Sequence, residues 1–599
     1  MKKNLLYIFC ILQILLFSLD INANEVFLEN IEKGLEKIPE EWFKSYKIVC
    51  NKMLVKIDIL ENTLEIKAEL LIDKTIDKIP YYAFFLDNRA IIKSIYTNGE
   101  KIDYKRIEDT IIIPTDEFPK TNDFKLEINY TLIDSKFREN YFKDKEIYNF
   151  YTPYFIWHPF QPFSSPSTQE ITFVLAKSNG KLKVICDGIF LKEFENENEK
   201  CFIYKINYPL SEISFTVGEY KISNTQSGRY NITTAFLTHP NKKKQLIDIL
   251  SKIIQCFSSK VVEPPYPNFT AIEIPKKYWN KDSDADMYNY GSTIFIRDDL
   301  LDLLEQPGIV LLLAHEVFHF WARGTIGNFG NEIDNLLQEG ICEYASYIFV
   351  EDNLKEHTDK FLINQNLLFL SKNSKYSKGF YIFHMLRNIV GDEKFFVILK
   401  NYFEKFKGGT FSLPNFLQVC EEIYGKSLEW FFKQWLSTTP APKFGLKDIK
   451  ISGTTEEYNI KGILYQDDEI FKCPVEIKLI TFSDEEIKKV FWITKKERKI
   501  LFKCKYKPKA LFLDPDWKIL KFNFPLIVPL CEKPEVTTDT QQIYEYNLAK
   551  EFFNKEEYDK AEFWFRKMLK KKTNLPTVYN GLGLIYFEKG MYEKAEKIL

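Results

Sequence analysis

His315, Glu316 and His319 stand together in the run GIVLLLAHEVFHFW. Two histidines four apart on a helix project from one face, and the glutamate between them sets a carboxylate beside whatever they hold. Imidazole nitrogens suit zinc, and a neighbouring carboxylate can take a proton from water activated by that ion. The bland alternative is a buried helix whose histidines bond to backbone. The chain has six histidines in 599 residues, and the remaining four (His158, His239, His357, His384) are scattered. No G-x-S-x-G, Walker-type glycine loop or C-x-x-C competes with the motif. His158 lies in the aromatic segment YFIWHPFQPF, which reads as a packed loop.

A catalytic zinc takes three protein ligands and keeps a fourth position open. After His319 the turn-rich stretch RGTIGNFGNEIDN leads into a second helical pattern, LLQEGICEYASYIFVE. Glu339, early in that helix, is the expected third ligand. Glu332 and Asp334 are alternatives read as loop residues, a poorer placement because rigid elements hold ligands more accurately. Glu343, one turn beyond Glu339 on the same face, is a candidate partner for a histidine Nδ1. A compact third-histidine signature would need glycine at 322 and histidine at 325; Ala322 and Thr325 exclude it.

With these residues in place the sequence resembles the aminopeptidase N and leukotriene hydrolase family of zinc peptidases. Gln338-Glu339-Gly340 stands where that family has an N-E-G tripeptide, with one more residue between His319 and the glutamate than the family's eighteen. The stretch SKYSKGFYIFHMLRNIVGDEKFF is similar to its Y-x-K-G segment, which implies that Tyr376 stabilises the oxyanion of the tetrahedral intermediate. The family's substrate-strand motif G-A-M-E-N has its counterpart in Ala285-Asp286-Met287-Tyr288-Asn289, followed by Tyr290-Gly291. Met287, Asn289 and Gly291 match as substrate-binding residues. Tyr288 replaces the glutamate that grips a free amine, a departure that bears on exopeptidase specificity and leaves the hydrolytic residues untouched.

These motifs need rigid elements around them, and the hydropathy pattern changes along the chain accordingly. Residues 45–225 alternate apolar and polar, as in VKIDI (55–59), LEIKAEL (64–70) and FKLEINYTL (124–132), which predicts an N-terminal antiparallel β domain. Residues 230–440 take a helical period, with Phe395, Leu399, Tyr402 and Phe406 on one stripe. Alternation returns over 445–530 and predicts a β-sandwich. The expected class is multidomain α+β, and the resemblance implies that 230–440 is a thermolysin-like catalytic domain.

Beyond the linker EKPEVTTDTQQ the text repeats itself. Leu548, Phe553, Tyr558, Lys560, Ala561 and Glu562 recur as Leu582, Phe587, Tyr592, Lys594, Ala595 and Glu596, each 34 positions later. Residues 543–599 therefore resemble tetratricopeptide repeats, whose usual role is to bind a protein partner.

Composition fits a globular enzyme, at 45% hydrophobic, 16% aromatic and a net charge of −2. Charges of both signs are interleaved, so no nucleic-acid partner is expected. Lys2 and Lys3 precede an apolar run from Leu5 to Leu19 closed by Asp20, the length of a signal peptide and short for a membrane span. Residues 1–23 are read as that signal and the protein as exported, periplasmic or extracellular, touching the membrane only if the segment stays uncleaved. Ten cysteines are present; Cys186 and Cys201 flank a polar turn and are candidates to face each other across a hairpin.

The expectation is an exported peptide hydrolase with one zinc ion, of aminopeptidase type. An endopeptidase or processing enzyme needing no free amine is the alternative. A third reading is an exported interaction scaffold carrying a relic peptidase domain, which ought to have lost at least one of His315, Glu316, His319, Glu339 and Tyr376.

Overall fold

The computed structural model describes residue 39 and residues 42–598 except 44, 60, 62, 76–78, 119–120, 122, 134–146, 151–156, 161–167, 178–179, 209, 211–212, 280–286, 323–331, 359–360, 363–364, 367–374, 407–410, 438–440, 454–456, 468, 522–525, 531–545, 547–548, 551, 554–556, 571–575 and 590. The segment read as a signal peptide lies outside the described residues, as do Cys10, Cys531, Leu548, Asp284, Ala285 and Asp286. Among the described residues no helix is long and apolar enough to cross a membrane.

The chain divides into two compact units. The first, Leu16–Gln338 with Leu399–Phe416, opens with an eight-stranded sheet built on the long hairpin Tyr46–Asp58 and Thr63–Lys74. The alternation read from the sequence is realised there: Val55, Ile57, Leu64, Ile66, Leu126 and Ile128 all point into the core. One departure from a purely antiparallel sheet is the parallel pairing of Tyr46–Asp58 with Thr168–Ala176.

Residues 221–297 hold a five-stranded mixed sheet, where a helical period was expected from residue 230 onward. Tyr230–Phe236, Asn268–Ile274 and Thr293–Arg297 run parallel in it, while Met287–Tyr290 lies antiparallel to Thr293–Arg297 at one edge. Phe269, Ala271, Ile272 and Ile274 are all buried, as are Ile294, Phe295 and Ile296. Strands covered on both faces read as continuous apolar runs, which hydropathy cannot tell from buried helix.

The second unit, Glu339–Ile398 with Leu417–Leu599, contains helices followed by two antiparallel sheets. Phe444–Gly453, Tyr458–Gln466 and Glu497–Cys504 form one; Glu486–Ile493, Cys473–Thr481, Pro508–Leu513 and Leu526–Pro529 form the other. Ile460, Leu464 and Phe502 from the first and Val475, Ile477, Leu511 and Leu513 from the second are fully buried, as a sandwich requires. In the C-terminal helices, Tyr558–Lys570 and Tyr592–Ile598 begin 34 residues apart. Ala561, Phe565, Leu582, Ile585 and Ala595 meet in one apolar cluster.

Cys186 and Cys201 do not face each other. Cys186 belongs to the strand Lys183–Cys186, paired with Phe215–Gly218, whereas Cys201 sits in Glu199–Ile206, paired with Ile189–Glu195 in the large sheet. Both are free thiols, as are the other described cysteines.

Candidate active site

The helix Pro307–Ala322 carries the two histidines. Proline suits the first helical position because its missing N–H would have no partner there, and the N–H groups of Ile309 and Val310 donate to Gln306 O at 3.1 and 3.2 Å. The helix is apolar nearly all round, and every residue from Leu312 to Ala322 is buried. Phe318 meets Phe257 at 5.0 Å and Phe320 meets Phe269 at 4.6 Å between ring centroids. Trp321 Nε1 donates to Val262 O at 2.7 Å. A helix so fixed holds its side chains accurately.

Within this apolar setting His315, Glu316 and His319 are only 4%, 3% and 3% exposed. Burying three such groups is costly without compensating partners. Ligand atoms of His315, His319 and Glu339 all lie within 4.8 Å of one another, and the two imidazole Nε2 atoms are 3.2 Å apart. Two nitrogens bound at about 2.0–2.1 Å to one tetrahedral ion stand about 3.3–3.4 Å from each other. The histidine separation, the nitrogen and carboxylate chemistry and the burial therefore fit a single zinc ion.

Glu339 belongs to the helix Glu332–Asn353. Glu332 and Asp334, read as loop residues, lie in its first turn, because the helix starts seven residues before Glu339. The Asp334 carboxylate accepts a hydrogen bond from Leu413 N at 2.7 Å, where it satisfies the opening of the helix Leu413–Tyr424. Glu343 accepts from Gln365 Nε2.

The residue after Glu339 explains how its helix meets the one bearing Tyr376. A Cβ on Gly340 would stand 2.4 Å from Gly379 C and 2.5 Å from its Cα. Backbone meets backbone there, with no flexible atom to yield. Helices approach this closely only through residues without side chains, so the glycines of Q-E-G and Y-x-K-G are one contact. Further along, Arg387 Nη1 donates to Glu351 Oε2 at 2.6 Å and to Tyr344 Oη at 3.2 Å, tying the same two helices a second time. Tyr376 occupies the first turn of Lys375–Val390 and is partly exposed. Two turns on, burial pushes the His384 imidazole down to about 3, so it is neutral at neutral pH.

Met287, Tyr288 and Asn289 lie on the edge strand, followed by Gly291 at the turn. Met287 is fully buried and Asn289 is 3% exposed, with its Nδ2 donating to Thr293 O at 3.4 Å. Alternation along a strand sends Tyr288 to the opposite face. There its ring stacks on Trp279, 5.0 Å between centroids at 14°. Trp279 was not singled out from sequence, because the aromatic pair in KKYWNK carries no motif; Arg387 lies within the stretch matched to the Y-x-K-G segment, but no role could be assigned to it from sequence.

The family description "Peptidase family M1 domain" matches residues 364–435, a stretch that includes Tyr376 and lies outside the histidine motif. Among curated protein sequences the chain is similar to "Probable aminopeptidase 1" of Sulfurisphaera tokodaii, 21% identical over 451 residues, covering 65% of this chain and 53% of that protein. It is also similar to "Leucyl aminopeptidase" of Saccharolobus solfataricus, 22% identical over 250 residues, covering 35% and 31%. The chain thus spans about half the length of the first relative and about a third of the second. Among solved structures, aminopeptidase A of Legionella pneumophila in complex with aspartic acid aligns with TM-score 0.65 and 15% identity, covering 93% of this chain and 68% of that one. The M1 zinc metallopeptidase of Deinococcus radiodurans aligns with TM-score 0.52 and 14% identity, covering 66% and 96%. These likenesses establish the fold, and the resemblance to M1 peptidases read from the motifs stands.

Proposed function

We propose that this protein is a zinc-dependent aminopeptidase. The observation that carries the reading is the convergence of His315, His319 and Glu339 within 4.8 Å, with Glu316 on the same buried helix. When bound, zinc supplies Lewis acidity, acidifying water and polarising a carbonyl. Glu316, buried and adjacent to the ligands, takes the proton from attacking water and passes it to the leaving amine. Tyr376 donates a hydrogen bond to the carbonyl oxygen as negative charge grows on it, an interaction made chiefly in the transition state. Met287, Asn289 and Gly291 shape the edge along which the peptide lies. Support for a peptide substrate comes from the Deinococcus enzyme, described as bound to Tyr-Ser-Ala. The presence of all five hydrolytic residues argues against a relic scaffold.

Tyr376→Phe keeps the ring and removes only the donor. We expect nearly unchanged thermal stability and a kcat lowered by roughly 10² to 10³. An unchanged kcat in folded protein would return Tyr376 to a packing role.

A second reading, cleavage without need of a free amine, draws on Tyr288. A carboxylate at that place would pair with a substrate ammonium through charge-assisted bonds. Tyrosine offers an aromatic face worth about 0.5–2 kcal/mol to a cation, and the Trp279 stack holds that ring. The expected outcome is aminopeptidase activity with a weaker preference for free amino termini than a carboxylate would give. The check compares kcat/KM for peptides with and without N-acetylation, in the wild type and in Tyr288→Glu. If acetylation abolishes cleavage in the wild type and Tyr288→Glu improves nothing, the amine is gripped elsewhere.

We further take residues 1–23 as an export signal, 45–225, 230–440 and 445–530 as the N-terminal β, catalytic and β-sandwich domains, and 543–599 as tetratricopeptide-like repeats. The 34-residue offset of the terminal helices supports the last of these, and with it a protein or peptide partner at that end.

A further inference from the structure

The turn that closes the edge strand is gripped by a carboxylate from a distant part of the same unit. Asp187 follows the strand Lys183–Cys186 and is fully buried. Its Oδ1 accepts from Ser292 N at 2.9 Å, Ser292 Oγ at 3.1 Å and Thr293 Oγ1 at 2.8 Å. Its Oδ2 accepts from Ser214 N and Ser214 Oγ, both at 2.7 Å. Burial pushes the Asp187 carboxyl up, and these hydrogen bonds oppose that push.

Gly291 completes the arrangement. It has φ of +56°, and a Cβ there would stand 2.8 Å from Asp187 Oδ1 and 2.9 Å from Cγ and Oδ2. Gly188 N donates to Ser292 Oγ at 3.3 Å, and Tyr266 Oη donates to Gly291 O at 3.1 Å. The carboxylate therefore packs directly on the glycine that follows Met287–Tyr290.

We infer that Asp187 is a positioning residue for peptide binding: it fixes the hairpin turn at Gly291 and Ser292 and thereby the register and height of the edge strand Met287–Tyr290. The inference rests on the proposed reading that this strand receives a peptide. The strand is four residues long and takes its strand pairing from Thr293–Arg297. Its order depends on the turn. A peptide that adds to a strand edge binds more weakly when the edge must be ordered first. An ionised carboxylate accepts at both oxygens, matching the two backbone N–H donors of Ser214 and Ser292. An amide in its place would turn its own N–H₂ toward one of them.

The test uses the full zinc-loaded chain and unblocked tripeptides, with Asp187→Asn beside the milder Ser292→Ala and Thr293→Val. Asp187→Asn is expected to raise KM about 10-fold with kcat within about 3-fold, zinc content unchanged, and backbone hydrogen exchange over 287–293 accelerated. Ser292→Ala and Thr293→Val should move KM and exchange the same way by less, and they carry the test if Asp187→Asn does not fold. A lowered melting temperature with KM and exchange unmoved would make Asp187 merely structural and overturn the inference. So would a fall in kcat at constant KM. If the wild type hydrolyses no peptide, the functional reading fails on its own account; exchange that stays unmoved would still overturn the grip assigned to Asp187.

Discussion

Glu316→Gln is expected to lower kcat by about 10² to 10⁴ while the purified protein keeps its zinc. Glutamine has the shape of glutamate, so the buried side chain keeps its packing on a helix that is interior along its length from Leu312 to Ala322. What disappears is the capacity to accept and return a proton. The three donor atoms for the metal come from His315, His319 and Glu339, and none is touched. Elemental analysis beside steady-state kinetics checks both halves. A variant that keeps more than about a tenth of the wild-type kcat would remove Glu316 from the role of general base.

Glu339→Ala should have the complementary outcome, loss of the metal itself and with it all turnover. Removing the carboxylate leaves two imidazoles where a catalytic site uses three protein ligands. The fold should survive: Glu339 is partly exposed, alanine is the best helix former, and the contact of Gly340 with Gly379 lies one residue further on. Circular dichroism should report an intact helical protein while zinc falls below about a tenth of an equivalent, against about one in the wild type. A Glu339→Ala protein that kept its zinc, together with a Glu316→Gln protein that lost it, would mean the two carboxylates exchange roles.

Much of this site is written in the sequence because its chemistry depends on local spacing. His315, Glu316 and His319 lie within one helical turn, so the motif and the geometry are nearly the same statement. Glu339 needed one further step, across a connection whose length differs by a residue from the family pattern, and both ends of that step are helical. Alternation revealed the strands Tyr46–Asp58, Thr63–Lys74 and Asp123–Ile133 because residues on one face of each are buried and those on the other are more open to solvent. The sheet of residues 221–297 was missed because its inner strands are covered on both faces and lose that signature. Pairings across the chain were the least legible. Cys186 and Cys201 look like facing positions of a hairpin until the strands are seen to join different sheets, and nothing around Asp187 announces that it holds the turn at Gly291. Tyr288 was legible as a substitution, but its stacking on Trp279 depends on which face of the edge strand it takes.

The most direct test of the account is a zinc titration of metal-stripped protein, following hydrolysis of an unblocked tripeptide. Activity should be absent at the start, rise in proportion to added zinc and break sharply at about one equivalent per chain, with no recovery in Glu339→Ala under the same conditions. Full hydrolysis by the stripped protein, or an activity indifferent to Glu339, would contradict a zinc peptidase built on His315, His319 and Glu339.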